Sequence, residues 1–266
     1  MNLKRPPISV TIITRDEEQN LGQALASIHG WADDILVVDS GSTDRTLEIA
    51  KSFGARTLTR EWSGYGQQKN YAQDQAAHDW ILNIDADEEV STELRNEIDA
   101  LLAATPGPAC LIEIPRKTWY LGRWILHGGW YPNFLVRLAN RKFARWTEPA
   151  VHESWVCAPG KTVTSHRLTS PLHHFTFKNI SDQVITNLKY SRQGYEDLRS
   201  KGRAKSRTRL VLKPIGKFFE TYLFKLGFLD GVPGLIISIN AAHSMFLRQA
   251  YFFEPDQKKT NEERRP

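Results

Sequence analysis

Over its first hundred residues the chain alternates short apolar runs with amphipathic ones. The β-branched run ISVTIIT (Ile8–Thr14) predicts a buried strand. In EEQNLGQALASIHG, Leu21, Leu25 and Ile28 recur at helical spacing. DILVVD (Asp34–Asp39) predicts a second strand, and STDRTLEIAKSFG a helix capped by Ser42 or Thr43 and ended by Gly54. ARTLTRE, GYGQQKNYAQDQAA, DWILNID and STELRNEIDALLA then predict strand, helix, strand and helix. Strict alternation of this kind argues for βαβ units, a parallel sheet and helices on both faces.

After Pro106 the texture changes. ACLIEIPRKTWYLGRW, NFLVRLANRKFARW and SPLHHFTF predict strands separated by Trp- and Gly-rich loops. From Ile180 the pattern is helical, interrupted by a basic connector, and the tail after Pro255 is polar. The expected organisation is an α/β domain over 1–178, with a first half at 8–105 and a second at 106–178. A helical extension over 179–254 and a polar tail over 255–266 follow.

An apolar fraction of 41% and a charged fraction of 24% are ordinary for a globular protein. The formal net charge of +5 is modest, so its distribution matters more than its sum. The two cysteines, Cys110 and Cys157, lie far apart with no zinc-ligand spacing, which predicts free thiols in a reducing compartment. MNLKRPPISV has no signal-peptide core, and no apolar window is long enough to span a bilayer. A cytoplasmic protein is expected, with any membrane contact peripheral.

The candidate chemistry lies at strand ends, where open α/β sheets bind ligands. The first predicted strand ends at Thr14, before Arg15, Asp16 and Glu17; the second ends at Asp39 in VVDSGSTD; the fourth ends in NIDADEE. If these strands are neighbours, the acids converge on one crevice. A strand-end carboxylate such as Asp39 either builds a tight turn or accepts hydrogen bonds from a base or ribose. No GxGxxG or Walker loop is present, which argues against ordinary dinucleotide and P-loop binding. Asp85 and Asp87, one residue apart on leaving a strand, suit a hard divalent cation. Glu88, Glu89 and Glu93 are expected instead to complement the dipole of the helix beginning near Ser91.

SVTIITRDEEQNL, ILVVDSGSTDRT, GQQKNYA and WILNIDADEEV, in that order, resemble the family 2 glycosyltransferases. GGWYPNFLVRL, VHESW, LHHFTF and GFLDGVPGL extend the resemblance to the bacterial lipopolysaccharide-core β-1,4-glucosyltransferase group. The resemblance implies a GT-A fold, a mixed Rossmann-like sheet with a C-terminal helical extension. It implies an inverting hexosyl transfer from a nucleotide sugar, UDP-glucose by analogy, with Mg²⁺ or Mn²⁺. The implied acceptor is a lipopolysaccharide core or another lipid-linked sugar, met at the inner-membrane surface.

By position, Thr14 and Glu17 match nucleotide-contacting residues, although Arg15 and Asp16 stand where Tyr and Asn are usual. Asp39 matches a base-binding carboxylate, with Ser40 in place of a second Asp. Lys69 matches a basic residue facing the nucleotide; its alternative is a solvated helix charge. Asp85 matches the nucleotide-side acid of a DxD motif and Asp87 the metal ligand. His174, in LHHF, matches a late metal- or diphosphate-binding histidine.

Displacement at an anomeric carbon also needs a base for the acceptor hydroxyl. TEPAVHESW offers Glu148, His152 and Glu153, and the resemblance selects Glu153; the alternative is that Glu153 pairs with Arg137 or Arg145. Basic residues from Lys201 to Lys217 precede an aromatic, amphipathic stretch, which suits an anionic membrane surface. The bases lie in one short segment of an otherwise acid-balanced chain, so nucleic-acid binding is not expected. Two other functions fit parts of the pattern. A sugar-phosphate nucleotidyltransferase would want a Gly-rich phosphate loop that TIITRDEEQN lacks, and a non-catalytic nucleotide-sugar-binding protein would not need the acids and base.

Overall fold

The computed structural model describes residues 5–104, 107, 110–148 and 153–254. These divide into two compact units: residues up to Thr118 with Pro132–Thr176, and Trp119–Tyr131 with the chain from Phe177. The Trp- and Gly-rich loop at 119–131 thus groups with the C-terminal helices.

The first unit begins with β1 (Ile8–Thr14), α1 (Leu21–Ile28), β2 (Asp34–Asp39), α2 (Thr46–Ser52), β3 (Arg56–Thr59), α3 (Tyr65–Gln75) and β4 (Trp80–Asn83). The strands pair in parallel in the order β3-β2-β1-β4. That places β1 between β2 and β4, as the three strand-end motifs require. Its register aligns Thr14 with Asp39 and Thr11 with Asn83. The β-branched run is central because both its faces are covered: Ile8, Val10 and Ile12 are fully buried with Leu21, Leu25 and Leu82. Each such side chain contributes about 1.5–3 kcal/mol through burial.

Next come β5 (Glu88–Val90), α4 (Thr92–Ala103), β6 (Cys110–Tyr120), then β7 (Arg123–Ile125) of the second unit. The first unit resumes with β8 (Asn133–Asn140), β9 (Ala144–Trp146), β10 (Trp155–Cys157), β11 (Thr164–Arg167) and β12 (Leu172–His174). Here the sheet becomes mixed. β8 runs antiparallel to both β4 and β6, β12 runs parallel to β6, and β5 closes the path antiparallel to β12. β9 and β10 form a separate two-stranded ribbon. Cys110 and Cys157 are both free thiols.

Three local expectations are corrected. Neither Ser42 nor Thr43 caps α2; Asp44 accepts from the Thr46 N–H at 3.0 Å, and the Ser42 hydroxyl is engaged with Asp39 and the Asp16 N–H. Ser91 does cap α4, accepting from the Leu94 N–H at 3.1 Å. Glu88 does not serve that helix. It lies in β5, fully buried, because the DADE turn folds back as a short strand against β12. Glu89 shares β5, where burial raises its carboxyl pKa. Glu93 alone of the three sits in the first turn of α4.

The second unit holds α5 (Ile180–Ser200), α6 (Arg207–Phe219) and α7 (Gly231–Ala250), with short helical turns at Glu220–Phe224 and Gly227–Asp230. Asp230, buried, joins the 119–131 loop by accepting from the Leu126 and His127 N–H groups. Among the described residues no single helix is long and apolar enough to cross a membrane. Arg207–Phe224 and Gly227–Phe253, bent by 70°, pass that test of length and composition together.

Candidate active site

The loops after β1 and β2 are fastened to each other. The Ser42 hydroxyl accepts from the Asp16 N–H, Asp16 accepts from the Thr43 N–H, and Thr46 Oγ1 accepts from the Glu17 N–H, all within 2.7–2.8 Å. Asp16 adopts a positive φ of 54°, which Asp tolerates better than most residues. Glu17 accepts from Asn20 Nδ2 at 2.8 Å and its carbonyl from the Leu21 N–H, so it also starts α1.

Asp39 is fully buried and accepts from the Gly41 and Ser42 N–H groups, the Ser42 hydroxyl and, at 3.1 Å, the Thr14 hydroxyl. These donors use about the full acceptor capacity of one carboxylate. Asp39 therefore builds the turn. Base recognition by its side chain would require one of these bonds to be given up.

The central cluster is built by α3, an unusually polar helix for its burial. Gln68, Lys69, Asn70 and Gln73 are all buried. Their amides clamp β9 along its backbone: Asn70 accepts from the Trp146 N–H and donates to its carbonyl, both at 3.0 Å, and Gln73 donates to the Ala144 carbonyl at 2.8 Å. Gly66 permits the approach, since a Cβ there would lie 2.0 Å from the Thr147 carbonyl oxygen.

The clamp seats Lys69 over the Trp146 ring, 4.6 Å from its centroid. Its ammonium donates to Glu153 Oε1 at 2.9 Å and lies 3.5 Å from Asp85 Oδ1. The solvated alternative for Lys69 thus fails: its side chain is 5% exposed. Glu153 pairs with this lysine, whereas Arg145 pairs with Asp74 and Arg137 with Asp85 and Glu88. Glu148 accepts from Asn70 Nδ2 at 2.8 Å. His152 lies outside the described residues.

The DADE turn is fixed from beneath by residues that the motif reading missed. Buried Arg137 donates to Asp85 Oδ2 and Glu88 Oε1, each at 2.6 Å, and Arg116 approaches Glu88 at 3.4 Å. Glu88 Oε2 accepts from the Asp85 N–H at 2.9 Å, closing the turn. Burial alone would raise the Asp85 pKa, but the Arg137 and Lys69 charges outweigh it and hold the carboxyl well below the usual range. The same pairings raise the Arg137 pKa despite its burial. Asp85 is therefore ionised.

Asp87 faces the other way. Its Oδ2 lies 3.3 Å from His174 Nε2, and its carbonyl accepts from the Phe175 N–H at 2.9 Å. Thr118 Oγ1 is 3.4 Å from His174 Nδ1. The β5–β12 pairing brings this histidine to the motif. His173, its neighbour, is set among different groups: burial lowers its pKa, Lys117 adds to the effect and Glu93 opposes it.

One cluster thus joins Lys69, Asp85 and Glu153, and a second pair joins Asp87 to His174. Such an arrangement can hold an anionic ligand at the lysine, coordinate a cation at the carboxylate–imidazole pair and move a proton at Glu153.

The sequence profile described as Glycosyl transferase family 2 matches residues 9–152. An uncharacterized glycosyltransferase of Rickettsia typhi is 33% identical over 260 residues, covering 96% of this chain and 89% of that protein. The lipopolysaccharide core biosynthesis glycosyltransferase LpsC of Rhizobium meliloti is 29% identical, covering 94% of this chain and 96% of that one. The solved structure of glucosyl-3-phosphoglycerate synthase from Mycobacterium tuberculosis, with Mn²⁺ and uridine diphosphate, shares 26% identity over 44% of this chain. This chain spans 45% of that one, at a TM-score of 0.34, too partial a likeness to bear on function. The family profile covers more than half of the chain and the Rickettsia relative nearly all of it: the chain belongs to glycosyl transferase family 2 and is a glycosyltransferase of GT-A fold.

Proposed function

We propose that the enzyme transfers a hexose, glucose by first choice, from a UDP-sugar to a lipopolysaccharide-core or other lipid-linked acceptor, inverting the anomeric carbon. The observation that carries this reading is the meeting of Lys69, Asp85 and Glu153 beside the Asp87–His174 pair. The relationship to LpsC supports the class of acceptor.

Asp87 and His174 would hold a Mg²⁺ or Mn²⁺ ion. An ionisable carboxylate facing an imidazole at 3.3 Å is a mixed oxygen–nitrogen donor set that Mn²⁺ accepts, and substrate phosphates normally complete such sites. When bound, the ion supplies Lewis-acid stabilisation of the departing diphosphate.

Lys69 contributes a second positive charge to the same group from a dry, aromatic-walled seat, where it needs little reorganisation. Asp85, held ionised by Arg137, orients Lys69 and the nucleotide side of the donor. Glu153 removes the proton from the attacking acceptor hydroxyl. Thr14, Glu17 and Asp39 shape the nucleotide end through the fastened β1 and β2 loops.

The second unit suits the cytoplasmic surface of a membrane. Leu212, Ile215, Phe219, Leu223, Phe224 and Val232 are exposed, Phe224 at 82%, along the bent α6–α7 segment. The basic residues beside them favour anionic lipid. Transfer is tested by following UDP release from UDP-glucose with Mn²⁺ and a lipopolysaccharide-core acceptor. Activity should require both, and full activity in excess EDTA would refute the metal-dependent reading.

A further inference from the structure

The second unit contains a cavity of about 260 Å³ among α5, α6, α7 and the residues that follow them. Arg203, Arg209, Lys213 and Arg248 line it, and no acid does. Among the described residues none of these cations pairs with a carboxylate. The neighbouring Arg192, Lys201, Lys217 and Lys225 all do so. Four unneutralised cations around one concavity repel one another, and an anion in their midst removes that repulsion.

Two details mark the cavity as built. Arg248 Nε is buried without a hydrogen-bond partner among the described residues, an orphan donor that a bound water or anion would satisfy. Gly194 makes room for this guanidinium: a Cβ at 194 would lie 2.4 Å from Arg248 Nε. The remaining wall is formed by the apolar Leu198, Met245 and Phe252 with one uncharged polar residue, Gln249. Arginine forks match phosphate oxygens, whereas a greasy wall does nothing for a free anion.

We propose that this cavity binds a phosphate-bearing amphiphile, with the phosphate among Arg203, Arg209, Lys213 and Arg248 and the first carbons of its tail against Leu198, Met245 and Phe252. The site lies wholly in the second unit. It holds independently of the transfer chemistry and of whether the aromatic face enters a bilayer.

The test is calorimetric titration of the full chain with dihexanoyl phosphatidic acid below its micelle concentration. Inorganic phosphate and dihexanoyl phosphatidylcholine serve as comparators. Phosphatidic acid should bind at least about tenfold more tightly than either. Arg209→Gln/Arg248→Gln should lose about tenfold or more in affinity, and the solvent-facing pair Arg203→Gln/Lys213→Gln, which leaves the buried packing intact, about threefold or more. Lys205→Gln/Arg207→Gln, removing equal charge from the same segment outside the cavity, should lose less than about twofold. Equal losses in all three variants would reduce the effect to general electrostatics and overturn the site. Phosphate binding as tightly as phosphatidic acid, or no binding at all, would overturn it too.

Discussion

The Lys69 ammonium donates to Glu153 Oε1 at 2.9 Å, joining a helix to a loop residue 84 positions later. On the proposed mechanism these two groups act on different partners, the leaving diphosphate and the acceptor hydroxyl. Glu153→Gln should retain nucleotide affinity within about threefold while turnover falls by about 10²–10⁴. Lys69→Met should lower nucleotide affinity as well as turnover, by about 10²–10³ in kcat/KM. Titration calorimetry with steady-state kinetics separates the two; wild-type turnover in Glu153→Gln would remove it as the base.

Glu88 offers a stability test that its position in an acidic run conceals. Its carboxylate is fully buried between Arg137 and Arg116 and also receives the Asp85 N–H. Glu88→Gln leaves buried Arg137 half-compensated and should cost about 3 kcal/mol. Glu93→Gln, on the first turn of α4, should stay within about 0.5 kcal/mol. Denaturant unfolding of the two variants checks the contrast, and similar small losses would contradict the buried network.

Gly66 tests how the Lys69–Asp85–Glu153 cluster is positioned. A methyl group there meets the Thr147 carbonyl at 2.0 Å, so α3 and the Thr147–Glu148 backbone must separate. Gly66→Ala should cost about 1–3 kcal/mol in stability. It should also reduce turnover by about 10²-fold, since an ångström of misplacement is enough for that. Unchanged kinetics in a destabilised variant would mean that this contact does not position the site.

Asp34 gives a pH dependence remote from the site. It is nearly buried, accepts from Arg56 at 2.8 and 3.0 Å, from the Ala77 N–H at 2.9 Å and from Ser9 at 2.7 Å. Burial would raise its pKa, but these donors, Arg56 foremost, hold it below the ordinary value of 3.8. The unfolded chain then binds the proton more readily than the folded one. The stabilisation is therefore complete above about pH 4 and is lost as pH falls through the depressed folded value. Asp34→Asn should cost about 1–3 kcal/mol at pH 7. Its deficit relative to wild type should shrink as pH is lowered below about 4, as unfolding at each pH would show. A constant deficit would contradict the assignment.

The parallel half of the sheet was legible in the sequence because buried strands such as ISVTIIT carry their own signal. β5, β10 and β11 were not: each is only three or four residues long, and β5 and β11 pair with strands more than fifty residues away. The strand-end motifs pointed to Asp85 and Asp87 as a pair, but not to their facing different partners, Arg137 and Lys69 for the first and His174 for the second. They gave no hint that Glu88 faces inward, since a DADE run reads equally well as a helix entrance. Arg137 and Arg116 lie on strands some fifty and thirty residues away, with no local pattern to distinguish them. Burial of GQQKNYAQ was hidden for another reason. Polar side chains that clamp a neighbouring backbone look, in sequence, like a solvated face. Family membership then set aside the nucleotidyltransferase and non-catalytic alternatives, which composition and motifs had left open.

On the proposed mechanism, Asp87 and His174 complete a metal–diphosphate site beside Lys69. Thermal unfolding with UDP-glucose, with Mn²⁺, and with both tests it most directly. Ligand at about 100 times its Kd stabilises the native state by about 2.7 kcal/mol, so wild-type protein should show a clear rise in Tm with both together. Asp87→Ala should fold normally and lose that joint shift. A joint shift of the same size in Asp87→Ala would contradict the account.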